Sequence, residues 1–319
     1  MGNSRFSSTD WGNYSTQNFS GKTRQQIFTA TSMPDDVNPL HIQVRESRDS
    51  AANPLSTPII LSSDVTGSMG ETAHILIKDG IAKVAKEIYD RKPVSDPHIL
   101  VAAVGDARSD RSPLQVTQFE ADICLADQVR KLHVEGNGGG NGGESYSLVH
   151  LFAGQKTVHD NWIKRRRKGY LFTIGDEPCH KMVTAADMEK VFGKASLPIL
   201  SPEDMAAGKQ WEGYTAAECA ALASKTYEVF HIVLVNEGYC YGGRHRDVVN
   251  GWNDILPQRV IPLEDMSLLA ETVVSTIQVV EGASKSAVSK SWGTGTDLVI
   301  QNAIKDIAAR TQLGGAVRL

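Results

Sequence analysis

Asp64, Thr66 and Ser68 stand at alternate positions in "SSDVTGSMG" (62–70), directly after the apolar run "TPIIL" and ahead of the helix-like stretch "ETAHILIKDGIAKVAKEIYD". One carboxylate and two hydroxyls projecting from a short loop form a hard-oxygen donor set, which suits magnesium, manganese or calcium rather than zinc. Gly67 and Gly70 permit the tight turns such a loop needs. A capping role for the helix beginning near Glu71 explains Asp64 but gives Thr66, Ser68 and the strand-terminal Asp176 no common purpose.

Nucleophilic readings of the same loop fail on residue counts. An aspartyl phosphatase of the haloacid-dehalogenase type needs a second Asp two residues after the nucleophile, and that place is Thr66. An aspartic protease needs contiguous Asp-Thr-Gly, but Val65 intervenes, and "GSMG" has the wrong spacing for a Gly-x-Ser-x-Gly elbow. No nucleophile with an adjacent general base is evident, so a non-enzymatic role is expected.

The elements that must position these residues follow from periodicity. Short apolar runs at 57–63, 98–106, 114–121, 169–176, 229–236 and 259–263 read as strands of a mostly parallel, buried sheet. Amphipathic stretches between them read as helices, including a long one over "YSLVHLFAGQKTVHDNWIKRR" and two opening on the N-caps Thr184 and Thr215. In such an α/β sheet, ligands bind outside the carboxyl ends of the strands, where "SSDVTGSMG" and the loop "NEGYCYGGRHRD" (236–247) both fall. His180, four residues beyond Asp176, is placed to rim the same face.

Three short motifs resemble the von Willebrand factor A (vWA) family, whose metal-ion-dependent adhesion site (MIDAS) caps a Rossmann-like sheet. Asp64, Thr66 and Ser68 match the family's D-x-S-x-S segment, with Thr in place of the first Ser. "YLFTIGDEP" ends an apolar strand on Asp176, where the family has its second carboxylate. "GNGGGNGGESYSLV" resembles the "GGGDxxEA" loop of cytoplasmic members, which sets Asn141 and Glu144 opposite its acidic positions, with Ser145 or Ser147 as alternative hydroxyls. "GWNDILPQRVIPLEDMSLLAETV" is similar to the closing strand and helix of many bacterial members.

The resemblance implies a three-layer α/β sandwich over 51–281, preceded by an N-terminal arm (1–50) and followed by a linker and amphipathic helix (282–319) carrying Leu298, Ile300, Ile304 and Ile307. It implies a Mg2+ site (Mn2+ or Ca2+ by the same chemistry) formed by Asp64, Thr66, Ser68, Glu144 and Asp176, whose cation accepts a carboxylate from a protein partner. A MoxR-type AAA+ ATPase, in a bacterial or phage multiprotein system, is the partner class it suggests. A self-assembling homo-oligomer that exchanges its arm and tail is the alternative, with a metal-dependent phosphohydrolase third.

Composition excludes other classes. With 41% hydrophobic and 22% charged residues and a net charge of -4, the chain has no overall basic field for nucleic acid. "KRRRK" (164–168) reads as the cationic end of a helix, and "GNGGGNGG" lacks the Lys-Ser/Thr of a phosphate-binding loop. The four cysteines are far apart with no CxxC pair, as in a reducing compartment, and neither a signal-like leader nor a membrane-length apolar run is evident. A cytoplasmic location without membrane contact is expected.

Overall fold

The computed structural model describes residues 8–18, 22–66, 81–134, 142–199, 201, 203 and 206–310, so Ser68 and Asn141 lie outside the described residues. In it the apolar runs become strands. In chain order these are β1 (Arg45–Ser47), β2 (Thr57–Asp64), β3 (Pro97–Val104), β4 (Leu114–Val116), β5 (Thr157–His159), β6 (Gly169–Gly175), β7 (Met182–Thr184), β8 (Gly213–Thr215), β9 (Tyr227–Leu234) and β10 (Val260–Leu263). Six of them make the central sheet in the order β10–β9–β6–β2–β3–β4, parallel except for β4, which runs antiparallel to β3.

Every residue of β2, β3, β6 and β9 is buried, because helices cover both faces of the sheet. Alternation along β2 assigns the two faces. Ile59 and Leu61 join the cluster that includes helices Ile81–Arg91, Cys124–Arg130 and Leu269–Val280. Ile60 joins the opposite cluster, with Ser147–Gln155, Ala185–Phe192, Ala216–Ala223 and His245–Ile255. The result is an α/β three-layer sandwich. Thr184 and Thr215 cap their helices as full capping boxes with Asp187 and Glu218.

Two expected elements within the sheet domain are corrected. The long helix expected through "YSLVHLFAGQKTVHDNWIKRR" stops at Gln155, gives way to β5, and restarts as Asp160–Arg165. The break is made by the N-terminal segment: β1 pairs in parallel with β5, and Lys156 Nζ donates to the carbonyls of Pro39 and Ile42. The strand expected over 114–121 ends at Val116, although Glu120 still bridges Ile99.

Both flanking segments pack onto this core. Ile27, Phe28, Val37 and Ile42 are buried near the N-terminus. In the stretch read as a linker, Lys285–Lys290 is helical, and Trp292 Nε1 donates to Ser275 at 2.7 Å beneath the Arg91 guanidinium, 3.3 Å from the ring centre. Ile300, Ile304 and Ile307 are buried, whereas Leu298 is 65% exposed. At 100° per residue Leu298 points away from Ile300, so it does not belong to the stripe. Ile304→Ala is therefore expected to cost about 2–5 kcal/mol in denaturant unfolding, as for other core truncations. A change near zero would mean that the tail does not contribute to the fold. Among the described residues, no helix is long and apolar enough to cross a membrane.

Three of the five cations of "KRRRK" serve structural ion pairs. Arg165 and Lys164 bond Asp49, and Arg167 bonds Glu281.

Candidate metal centre

Counted among the six sheet strands in chain order, the spatial order is 3-2-1-4-5-6, a doubly wound pattern whose direction of winding reverses between β2 and β6. At such a reversal, the connections leave neighbouring strands in opposite directions and open a crevice at the carboxyl edge. Asp64 is the last residue of β2, and Asp176 follows the last residue of β6. Glu144 reaches the same place from the loop before helix Ser147–Gln155. Its amide donates to the Pro178 carbonyl at 2.9 Å, and its carbonyl accepts from the His180 amide at 3.0 Å.

Each carboxylate has a different environment. Asp64 Oδ1 accepts from the Thr66 amide at 2.8 Å and the Thr66 hydroxyl at 2.6 Å, and Oδ2 accepts from the Tyr146 hydroxyl at 2.6 Å. Asp176 Oδ2 accepts from the Tyr239 amide, and Cys240 Sγ donates to the Asp176 carbonyl at 2.9 Å. The loop 236–247 thus belongs to the site. Among the described residues, Asp176 Oδ1 and both carboxylate oxygens of Glu144 are buried without a hydrogen-bond partner.

Asp64, Glu144 and Asp176 are all fully buried, and Glu177 lies close to them at 3% exposure. Burial raises the pKa of all three carboxyls, and repulsion adds to it: Glu177 acts on Asp64, Asp64 and Glu177 on Glu144, and Asp64 and Glu177 on Asp176. Hydrogen bonds from Thr66 and Tyr146 to Asp64, and from the Tyr239 amide to Asp176, pull the other way. No ion pair to any of the three is present among the described residues.

Buried oxygens with no donor, concentrated negative charge and an adjacent Thr hydroxyl fit a hard divalent cation. The three carboxylates do not all bring oxygens within 4.8 Å of one another; among the described residues Glu120, Asp122 and Cys124 meet that spacing. Opposite oxygens of an octahedral magnesium ion stand only about 4.2 Å apart, so at least one of the three must act through water.

The alternative hydroxyls are engaged elsewhere. Ser145 Oγ donates to Asp106 Oδ1 and accepts from the Ala107 amide, both at 3.0 Å, and Ser147 Oγ lies 3.2 Å from Cys179 Sγ. Among the described residues of that loop, Glu144 is the one whose side-chain oxygens remain unused. His180 rims the face as expected, with Nε2 2.9 Å from Asp106 Oδ1.

Tyr146, Glu177 and Asp106 are site residues that sequence reasoning missed. Asp106 carried a readable signal: like Asp176, it is an acid just beyond an apolar strand on the ligand-binding edge. Tyr146 carried none, since its role depends on a Cβ-free approach to Gly175 at the end of β6.

No family model matches this chain, and no curated protein matches it. Among solved structures, it is similar to proximal thread matrix protein 1 from the mussel byssus (9% identity, 70% of this chain and 48% of that one, TM-score 0.41). It is also similar to the pilus adhesin SpaC from Lactobacillus rhamnosus GG in its open conformation (9%, 73% and 31%, TM-score 0.42) and to a von Willebrand factor type A protein from Catenulispora acidiphila (13%, 70% and 42%, TM-score 0.36). The chain spans less than half the length of each. The fold assignment itself rests on the strand order and the two helix layers of this chain.

Proposed function

We propose that this protein is a cation-dependent protein-interaction module: the pit at the carboxyl edge holds Mg2+, or Mn2+ or Ca2+ by the same oxygen chemistry, and the cation's outward side takes an acidic side chain of a protein partner. The observation that carries this reading is the group of three fully buried carboxylates, Asp64, Glu144 and Asp176, with three oxygens among them that no donor of the described residues satisfies. Thr66 and Ser68 supply hydroxyls to the ion, and the carboxylates neutralise it directly or through water. The cation supplies Lewis acidity at an open position, while the chain's own residues orient and desolvate it.

Two observations favour this reading over its rivals. The nearest thiol, Cys240, is pushed up to about 12 by burial and by Asp176, which opposes a nucleophilic thiolate. Ile300, Ile304 and Ile307 of the C-terminal segment pack into the core of their own chain, which accounts for that apolar stripe without a second subunit. A MoxR-type AAA+ ATPase is the partner class proposed by resemblance, in a cytoplasmic assembly.

Titration calorimetry tests the cation, and affinity capture with magnesium or chelator tests the partner. Wild type is expected to take up one Mg2+ per chain and Asp64→Ala to lose at least ~100-fold in affinity, about 2.7 kcal/mol, with loss of the magnesium-dependent partners. Partners recovered equally with chelator or from Asp64→Ala would refute the reading.

A further inference from the structure

Two exposed arginines flank the carboxylate cluster, each touching the side chain of one residue whose backbone is bonded to the cluster. Arg108 follows β3. Its Nη1 lies 3.2 Å from His180 Nδ1, and its Nη2 donates to the Met182 carbonyl at 3.3 Å. Because a guanidinium only donates, Nδ1 is the acceptor and the His180 proton resides on Nε2, where it is given to Asp106 at 2.9 Å. The backbone of the same His180 is bonded to Glu144. Arg244 follows β9, with its guanidinium carbon 5.1 Å from the centre of the Tyr239 ring, and the Tyr239 amide holds Asp176. The sheet order β9–β6–β2–β3 sets Asp176 and Asp64 at the ends of the inner strands and the arginines beyond the outer two.

The charge balance gives these arginines a purpose. Three ionised carboxylates around a divalent cation leave an excess negative charge, which weakens the cation's attraction for one more carboxylate. The compensating positive charge stands outside the pit, on Arg108 and Arg244, in a form suited to paired contacts with carboxylate oxygens.

We propose that Arg108 and Arg244 are specificity-determining residues that, together with the cation, select a partner segment carrying several acidic side chains. One carboxylate meets the cation and its neighbours meet the arginines. This rests on the cation-dependent interaction reading above. A lone Asp or Glu in a neutral segment is a poor ligand for this surface.

The test uses a fluorescently labelled aspartate-rich peptide as the probe, with excess Mg2+ and fixed ionic strength, and calorimetric Mg2+ titration of the same proteins. Wild type is expected to bind the peptide, and Arg108→Ala and Arg244→Ala each to weaken it about 5- to 30-fold, the range of one charge-assisted contact. Arg108→Lys should recover only part of that loss, Lys194→Ala, a control for net charge, should stay within about twofold, and Mg2+ affinity should be unchanged throughout. The inference is overturned if Mg2+ binds normally but the alanine variants hold the peptide as wild type does, if Lys194→Ala loses as much, or if a lysine-rich peptide or an oligonucleotide binds as well. A wild type that binds no divalent cation is a different result: it removes the cation reading, and this inference with it.

Discussion

Magnesium is expected to raise the melting temperature of the wild-type protein, and by more at about pH 8 than at about pH 5. The sign comes from Asp64, Glu144 and Asp176, whose carboxyls are all raised above their ordinary values in the folded state by burial and mutual repulsion. The folded protein without cation therefore keeps protons that the unfolded chain releases. Its stability is full below the usual carboxylate range, near pH 4, and falls as pH climbs through the raised folded-state values. A divalent cation replaces those protons and binds the ionised carboxylates, so its affinity grows over the same window. At free Mg2+ about a hundredfold above Kd the gain is about 2.7 kcal/mol, or several degrees in Tm. Melting curves with magnesium and with chelator across that range check it. A magnesium shift that is flat or shrinks with rising pH would mean that these carboxylates do not hold the ion, and Asp64→Ala should abolish the shift at every pH.

Where burial is continuous, this fold was legible in the sequence. "TPIILSSD", "HILVAAV" and "YLFTIG" read as buried parallel strands because helices cover both faces and leave no polar alternation to confuse the pattern. Once those strands are fixed, the carboxyl edge follows, and Asp64 and Asp176 come together without any local signal linking 64 to 176. What failed was decided by distant chain. "YSLVHLFAGQKTVHDNWIKRR" holds no Pro and a single Gly, Gly154, too weak a signal to end a helix by itself, and pairing of β5 with Arg45–Ser47 shows why the helix stops there. Likewise, no spacing rule separates Glu144 from Ser145 and Ser147. Their partners, Asp106 and Cys179, lie on other elements, and satisfying those partners leaves Glu144 with unbonded oxygens.

Gly175→Ala is expected to be the most damaging single-methyl addition at the site. A Cβ at Gly175 would stand 2.0 Å from the Tyr146 hydroxyl oxygen and 2.7 and 2.9 Å from two of its ring carbons. Tyr146 has little room to withdraw: it is fully buried, edge-on to His231 and Trp252 at 5.2 and 5.3 Å between ring centres. Overpacking of this kind costs about 1–3 kcal/mol and occasionally more. Displacing the ring also breaks its 2.6 Å bond to Asp64, so cation affinity should fall along with stability. Tyr146→Phe removes the atom in worst conflict but leaves the ring carbons and deprives Asp64 Oδ2 of its donor. The double variant should therefore be less destabilised than the sum of the singles, with a coupling of about 1 kcal/mol. Gly251→Ala is the contrast, since its added Cβ meets nothing within 4 Å inside helix His245–Ile255, and it should stabilise by about 0.5–1 kcal/mol through helix propensity. Denaturant melts and Mg2+ titration of the four variants decide the point. If Gly175→Ala melts like wild type and binds Mg2+ normally, Tyr146 does not hold Asp64 in place, and the geometry of the pit must depend on Thr66 alone.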